Sequence, residues 1–240
     1  MKVEGRNSVY ELLKTDKEID KVLVQKDLQD EASKRLINVI RSHKVKVQVV
    51  DKRVIEKESE SKHSQGFIAF VSDYKYFDLE DISDGCKDKD GFVVVLNEIL
   101  DPHNLGSIIR VCECAGVDGI VISKDRSASV NDTVMRISEG SLNHIKVARV
   151  TNINNAIDKL KEEGFWVYGA EIGGESIYSA DLTGKLCLVI GGEDSGVKRL
   201  TKTKCDKIVS IPMFGKVNSL NASVACGVVV YEAVRQRTVK

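Results

Sequence analysis

From residue 91 onward the chain repeats one pattern, a short aliphatic run followed by a stretch of helical periodicity, and this repetition constrains the fold more than any other feature. The runs cover residues 92–96, 119–122, 165–170, 186–190 and 207–211; the helical stretches cover 105–115, 130–139, 153–162 and 218–237. A strand that is apolar on both faces must be covered on both, and strands alternating with helices achieve this in a mostly parallel sheet. The fold class is therefore α/β. Ligands of such sheets bind beyond the carboxyl ends of the strands. Chemistry is expected in the loops after Leu96, Ile190 and Ile211.

The first 72 residues read as a separate, smaller α/β unit, with helical patterns at 7–14, 30–42 and 52–58 and β-branched runs at 21–24, 45–50 and 66–71. Residues 73–90 hold seven Asp/Glu against three Lys and include Asp78-Leu79-Glu80-Asp81 and Asp84-Gly85. Such a stretch reads as a solvated linker. The expected organisation is a small domain at 1–72, an acidic linker at 73–90 and a larger domain at 91–240.

With 36 basic and 36 acidic residues the formal charge is zero, so no whole-molecule field draws the chain to phosphate. Affinity for nucleic acid must come from local patches. Residues 1–72 are the mildly basic part, with fifteen Lys/Arg against twelve Asp/Glu. No stretch approaches the roughly 18 apolar residues of a membrane span, and residues 1–7 lack a signal-peptide core. A cytosolic location without a membrane partner is expected. The six cysteines form no C-x-x-C pair, which argues against both zinc and disulfides, and no metal site is expected.

Three segments could carry chemistry. In the first, residues 97–106 open a helix that carries Arg110; Asn104 suits its N-cap, and the alternative is a capped helix with a solvent-facing arginine. In the second, Gly191, Gly192 and Gly196 follow a buried strand and surround Glu193. Glycines there allow close backbone approach or positive φ, and the spacing fits neither the dinucleotide fingerprint nor a P-loop. The third runs from Ile211-Pro212 through Gly215 into a helix opening with Ser219 and Asn221. Those two are poor interior helix formers but good partners for a polar substrate. The rest of that helix is apolar or small on every side, which predicts burial on all sides or against a second chain.

Taken together and in this order, Asp101-Pro102-His103-Asn104-Leu105-Gly106 with Arg110, Gly191-Gly192-Glu193, and Ile211-Pro212-Met213 with Ser219-Leu220-Asn221 resemble the three motifs of the SpoU (TrmH-like) branch of the SPOUT RNA methyltransferases. Gly5-Arg6-Asn7 and His63-Ser64-Gln65-Gly66 resemble the ribosomal-protein-like substrate-binding domain of the RlmB-type members, which modify a guanosine of 23S ribosomal RNA. The resemblance implies a trefoil-knotted methyltransferase domain, a homodimer with its site at the interface, and S-adenosylmethionine as cofactor. Gly191, Ile211 and Leu220 would contact the cofactor largely through backbone groups, while Asn104, Arg110, Glu193, Ser219 and Asn221 would form the polar catalytic group. Asp194 departs from the glycine that usually follows the glutamate.

Ribose methylation needs an aligned oxygen nucleophile, a route for its proton, and exclusion of water. An arginine pKa above 12 fits poorly with a base, so Arg110 is read as gripping the substrate phosphate and stabilising the alkoxide. Proton removal by a desolvated Arg110, by Glu193 or by solvent stays open. The small domain would select RNA through Arg6, Lys26, Lys34, Arg35, Arg41 and Lys44. Aromatic residues are sparse there, which favours recognition of shape and phosphate over base stacking. The alternatives are the same chemistry on transfer RNA and a non-catalytic RNA-binding ribosome-assembly factor.

Overall fold

The computed structural model describes residues 1–240 apart from 16, 62, 73, 193–195, 218, 239 and 240. It divides into two compact units, Met1–Lys75 and Tyr76–Lys240.

The first unit runs β1 (Lys2–Glu4), α1 (Arg6–Leu12), β2 (Glu18–Gln25), α2 (Glu31–Ser42), β3 (Val47–Val50), α3 (Lys52–Glu58) and β4 (Phe67–Ser72). Its sheet has the order β1-β4-β2-β3, with β4 antiparallel to both neighbours and β2 parallel to β3. Side chains alternate between faces with the strand period of two. Val22, Val24, Phe67 and Ala69 meet Val9 and Leu12 of α1 and Leu36 and Ile40 of α2. Leu23 and Ile68, on the other face, meet Ile55 of α3. Helix α2 starts at Asp30, whose carboxylate accepts from the Ser33 amide at 3.0 Å and the Ser33 hydroxyl at 2.8 Å. The same carboxylate pairs with Arg6 of α1 at 2.6 Å, so the cap also ties the two helices.

The second unit runs α4 (Leu79–Asp84), β5 (Phe92–Asn97), α5 (Pro102–Cys114), β6 (Gly119–Ser123), α6 (Asp132–Ile137), β7 (Lys146–Val150), α7 (Ile153–Glu162), β8 (Trp166–Ser176), β9 (Leu186–Gly191), α8 (Arg199–Lys202), β10 (Lys207–Ser210) and α9 (Ala222–Thr238). Its six strands are all parallel, in the order β10-β8-β9-β5-β6-β7. Val93, Val95, Val121, Cys187 and Val189 pack under α4 and α7. Val94, Leu96, Ile120, Ile122, Leu188 and Ile190 point the other way and are equally buried, on the face where α5 and α9 lie.

Three expectations change. The acidic stretch 73–90 is not a solvated linker: Leu79, Ile82 and Cys86 recur at helical spacing and enter the core, while the acids between 78 and 90 face out. The α4 start is held by the Asp78 amide, which donates to Asp81 Oδ2 at 2.9 Å. Asn104 is not an N-cap. Asp101 caps α5 by accepting from the His103 amide at 2.9 Å, Pro102 takes the first helical position, and Asn104 lies buried inside the first turn. The last helix begins at Ala222, after Ser219 and Asn221, and one side of it stays exposed at Val224 and Tyr231.

Candidate active site

Strand order puts β9 directly beside β5, although residues 98–185 separate them in the chain. Moving outward from β5, the strands are β6 and β7 on one side and β9, β8 and β10 on the other. Between β5 and β9 lies the switch point at which α/β sheets open a crevice. Asn97, buried at the end of β5, ties the two loops together: its carbonyl accepts from the Gly192 amide at 2.9 Å, and its side-chain Oδ1 accepts from the Lys198 amide at 2.9 Å. Sequence reasoning assigned Asn97 no role, because its usefulness depends on a strand distant in the chain.

The glycines of the β9 loop serve the loop's own folding. A Cβ on Gly191 would run into the Gly196 carbonyl carbon and the Val197 amide, and one on Gly192 into the Glu98 carbonyl. Gly196 takes a left-handed φ of 57° and lies against the Glu171 carboxylate. That carboxylate accepts from the Val197 amide at 2.8 Å and pairs with Lys202 at 3.2 Å.

A second irregularity shapes the site. Ile208 pairs with Gly169 but its neighbour Val209 pairs with Glu175, so residues 170–174 bulge out of β8. Ala170, Glu171 and Ile172 from the bulge wall a cavity of about 320 Å³. Gly191, Ile211 and Leu220 line the same cavity, as do Ser219, Met213 and Ala225. The three predicted cofactor contacts and one predicted catalytic residue are thereby brought together. The bulge was not foreseen, since an 11-residue strand broken by Gly173 and Gly174 has no clear apolar period.

Asn104 and Asn221 also meet, with Asn221 Nδ2 donating to Asn104 Oδ1 at 3.0 Å. Asn221 Oδ1 accepts from the Ser223 amide at 3.0 Å and the Ser223 hydroxyl at 2.6 Å. Asn221 therefore caps α9 and locks its start to α5. Next along these helices, the buried Cys112 thiol is hydrogen-bonded to Cys226, and that bond together with burial pushes it well above the usual thiol range. Both residues are buried in the core. Arg110 is apart from the cavity of its own chain: it is 51% exposed and pairs with Glu139 at 2.9 Å. Glu193 and Asp194 lie outside the described residues.

In the first unit, Arg6 and Arg35 line one groove, Lys26 lines a different one, and Lys34 pairs with Glu31 at 3.3 Å. Arg41 sits in the last turn of α2, and Lys44 follows it with a left-handed φ of 57°.

Residues 91–231 match the SpoU rRNA Methylase family. The chain belongs to that family. Residues 2–77 match the profile described as RNA 2'-O ribose methyltransferase substrate binding. A Staphylococcus haemolyticus protein named as a TrmH family tRNA/rRNA methyltransferase is 40% identical over 98% of this chain and 95% of its own. Among solved structures, the SpoU methyltransferase AviRb of Streptomyces viridochromogenes, in complex with its cofactor AdoMet, aligns at TM-score 0.63 and 25% identity over 98% of this chain and 90% of its own. The TrmH/SpoU tRNA modifying enzyme of A. aeolicus aligns at TM-score 0.56 and 30% identity over 66% of this chain and 83% of its own. Among the described residues no helix is long and apolar enough to cross a membrane.

Proposed function

We propose that this RNA methyltransferase carries a methyl group from S-adenosylmethionine to the ribose 2'-hydroxyl of a guanosine in 23S ribosomal RNA, and that it works as a homodimer. The observation that carries the reading is the convergence of Gly191 from one segment with Ile211, Ser219 and Leu220 from another on one cavity, at the carboxyl ends of β9 and β10 and beside the irregular middle of β8. The lining suits the cofactor. Apolar walls and backbone edges would suit an adenine and a thioether chain, and Glu171, the one charged group among the described lining residues, would put a carboxylate, itself paired with Lys202, in the same cavity as the cationic cofactor. Bound there, S-adenosylmethionine supplies the electrophilic methyl.

The chain's own residues must do the rest. Asn221 and Asn104 hold the cavity's α9 wall in place, and Ser219 offers a hydroxyl toward the incoming ribose. An exposed ion pair such as Arg110–Glu139 is worth about 0–1 kcal/mol, so Arg110 is available to exchange Glu139 for a substrate phosphate. Because Arg110 does not line its own cavity, the reading assigns that task to Arg110 of the partner subunit. Phe214, 98% exposed, Val217, Val224 and Tyr231 are exposed apolar residues that a second chain would cover. From β10 at the sheet edge the chain returns to seat α9 against β9 and α5, a crossing that supports the knotted topology.

Ribose methylation of transfer RNA is the second reading, favoured by the likeness to the A. aeolicus enzyme. The two-unit layout favours ribosomal RNA. Mapping 2'-O-methyl groups in both RNAs from cells with and without the protein separates them: loss of one guanosine mark in 23S RNA is expected, and a loss confined to transfer RNA would overturn the assignment. Failure to bind S-adenosylmethionine by calorimetry would return the chain to a non-catalytic assembly role. Arg110→Lys keeps the charge but loses the planar fork, and turnover should fall at least roughly tenfold with cofactor affinity unchanged. Near-normal turnover would defeat the proposed phosphate grip.

A further inference from the structure

The first unit carries a groove of about 630 Å³ between α1 and α2, lined in part by Arg6 and Arg35, two of the residues expected to contact RNA phosphate. Arg6 and Tyr10 stand four residues apart on α1, and Ala32, Arg35 and Val39 follow a helical stripe on α2, so two helix faces form its walls. Its floor is apolar, at Leu36 and Val39, and its rim is polar, at Asn7, Gln65 and Arg35.

Charge in the groove is unbalanced in a particular way. Arg6 is answered by Asp30 at 2.6 Å and Glu31 by Lys34 at 3.3 Å. Arg35 has no ion-pair partner among the described residues, which leaves one free guanidinium on the rim. The Tyr10 ring, 45% exposed, is the aromatic member of the lining, and the Lys14 ammonium lies over one of its faces, 4.5 Å from the centroid. Gln65 holds a left-handed φ of 48°, a conformation rare for a side chain of its kind, and its Oε1 accepts from the Arg6 amide at 3.2 Å. This contact fixes an amide group at the groove's edge, next to Asn7.

We propose that this groove seats an unpaired nucleotide of the substrate RNA, with the base stacked on Tyr10, its edge on the Asn7 and Gln65 amides, and the phosphate on Arg35. The proposal rests on the RNA-methyltransferase reading and adds to it: the small unit reads single-stranded bases as well as shape and phosphate. Unpaired bases are the parts of RNA that aromatic and amide side chains can reach, whereas duplex RNA presents mainly backbone.

The test is binding of the full-length protein to a labelled single-stranded oligoribonucleotide of about 12 nucleotides, long enough for a site of this kind, and to the matching duplex. Tyr10→Ala should weaken the single strand roughly tenfold and leave the duplex unchanged, and Tyr10→Phe should bind as the parent does. Arg35→Gln should weaken binding and reduce the slope of log affinity against log salt by about 0.7, a change Tyr10→Ala should not produce. Tyr10 and Arg35 are exposed, and unchanged urea midpoints will show that the variants fold. Parent-like binding by both variants, or an equal loss on single strand and duplex, overturns the groove while leaving the methyltransferase reading intact. A parent protein that binds neither RNA overturns the groove, whereas a parent protein that fails to bind S-adenosylmethionine overturns the methyltransferase reading.

Discussion

The cavity of the second unit and the groove of the first both open beside helices packed on a sheet, but they are made of different material. Backbone and apolar side chains build the cavity, and its glycines are demanded by neighbouring backbone: Gly191 by Gly196, Gly192 by Glu98. Side chains standing on two helices build the groove: Arg6 ties α1 to the α2 cap, while Tyr10 and Arg35 carry no structural duty beyond surface contacts. A site of the first kind holds its shape through main-chain position and tolerates little change. One of the second kind can alter its specificity while the fold stays as it is.

The sharpest way to break this contrast is Gly191→Ala. Its methyl would strike the Gly196 main chain, so the β9 loop must move, and cofactor affinity measured by calorimetry should fall by roughly a hundredfold, the equivalent of about 3 kcal/mol of overpacking. Unchanged affinity would mean the loop is free to give way. Ile82→Ala probes how far the second unit's core reaches into the acidic stretch; with Ile82 fully buried against Gly119, unfolding should cost about 2–5 kcal/mol less in urea. A loss near zero would restore the linker.

Asn104→Ala removes the buried partner of Asn221 and should lower stability by about 1–3 kcal/mol. Turnover should drop further than cofactor binding, because the start of α9 loses its tie to α5. Equal losses in both would make the pair purely structural.

The smallest effect is a pH dependence confined to the first unit. Partial burial pushes the Glu4 carboxyl up, but the Ser61 hydroxyl, the Glu60 amide at 2.7 Å, the Ser59 hydroxyl at 2.7 Å and the Ser61 amide together hold it down to about 2, against an ordinary value of 4.5. A depressed folded-state pKa contributes stability that is full above about 4.5 and is lost as pH falls through about 2. Thermal midpoints of the parent and Glu4→Gln should therefore differ most above pH 4.5 and converge toward pH 2. Parallel curves would show that the 59–61 loop is anchored by other means.

Much of this was legible in the chain itself, and the exceptions share physical causes. Strand β1 has three residues, too few for a period to appear. Strand β7 is Lys-Val-Ala-Arg-Val at the sheet edge, where charges interrupt the apolar run that marks the central strands. Helix α4 was hidden by composition, because six acids between 78 and 90 outweighed three well-spaced apolar residues. At the head of α5, Asp101-Pro102 was the stronger cap signal, and reading Asn104 as the cap moved a buried residue to the surface.

Sequence alone determined the α/β alternation and the three loop segments, because apolar runs and turn residues act over a few positions. Only the tertiary structure decided which of those loops share a site. Placing β9 beside β5 and β8 brings Asn97, Glu171 and the 170–174 bulge to Gly191, while the course of α5 turns Arg110 toward Glu139 and away from the cavity of its own chain. Strand order is set by packing across the whole sheet, and no local period encodes it.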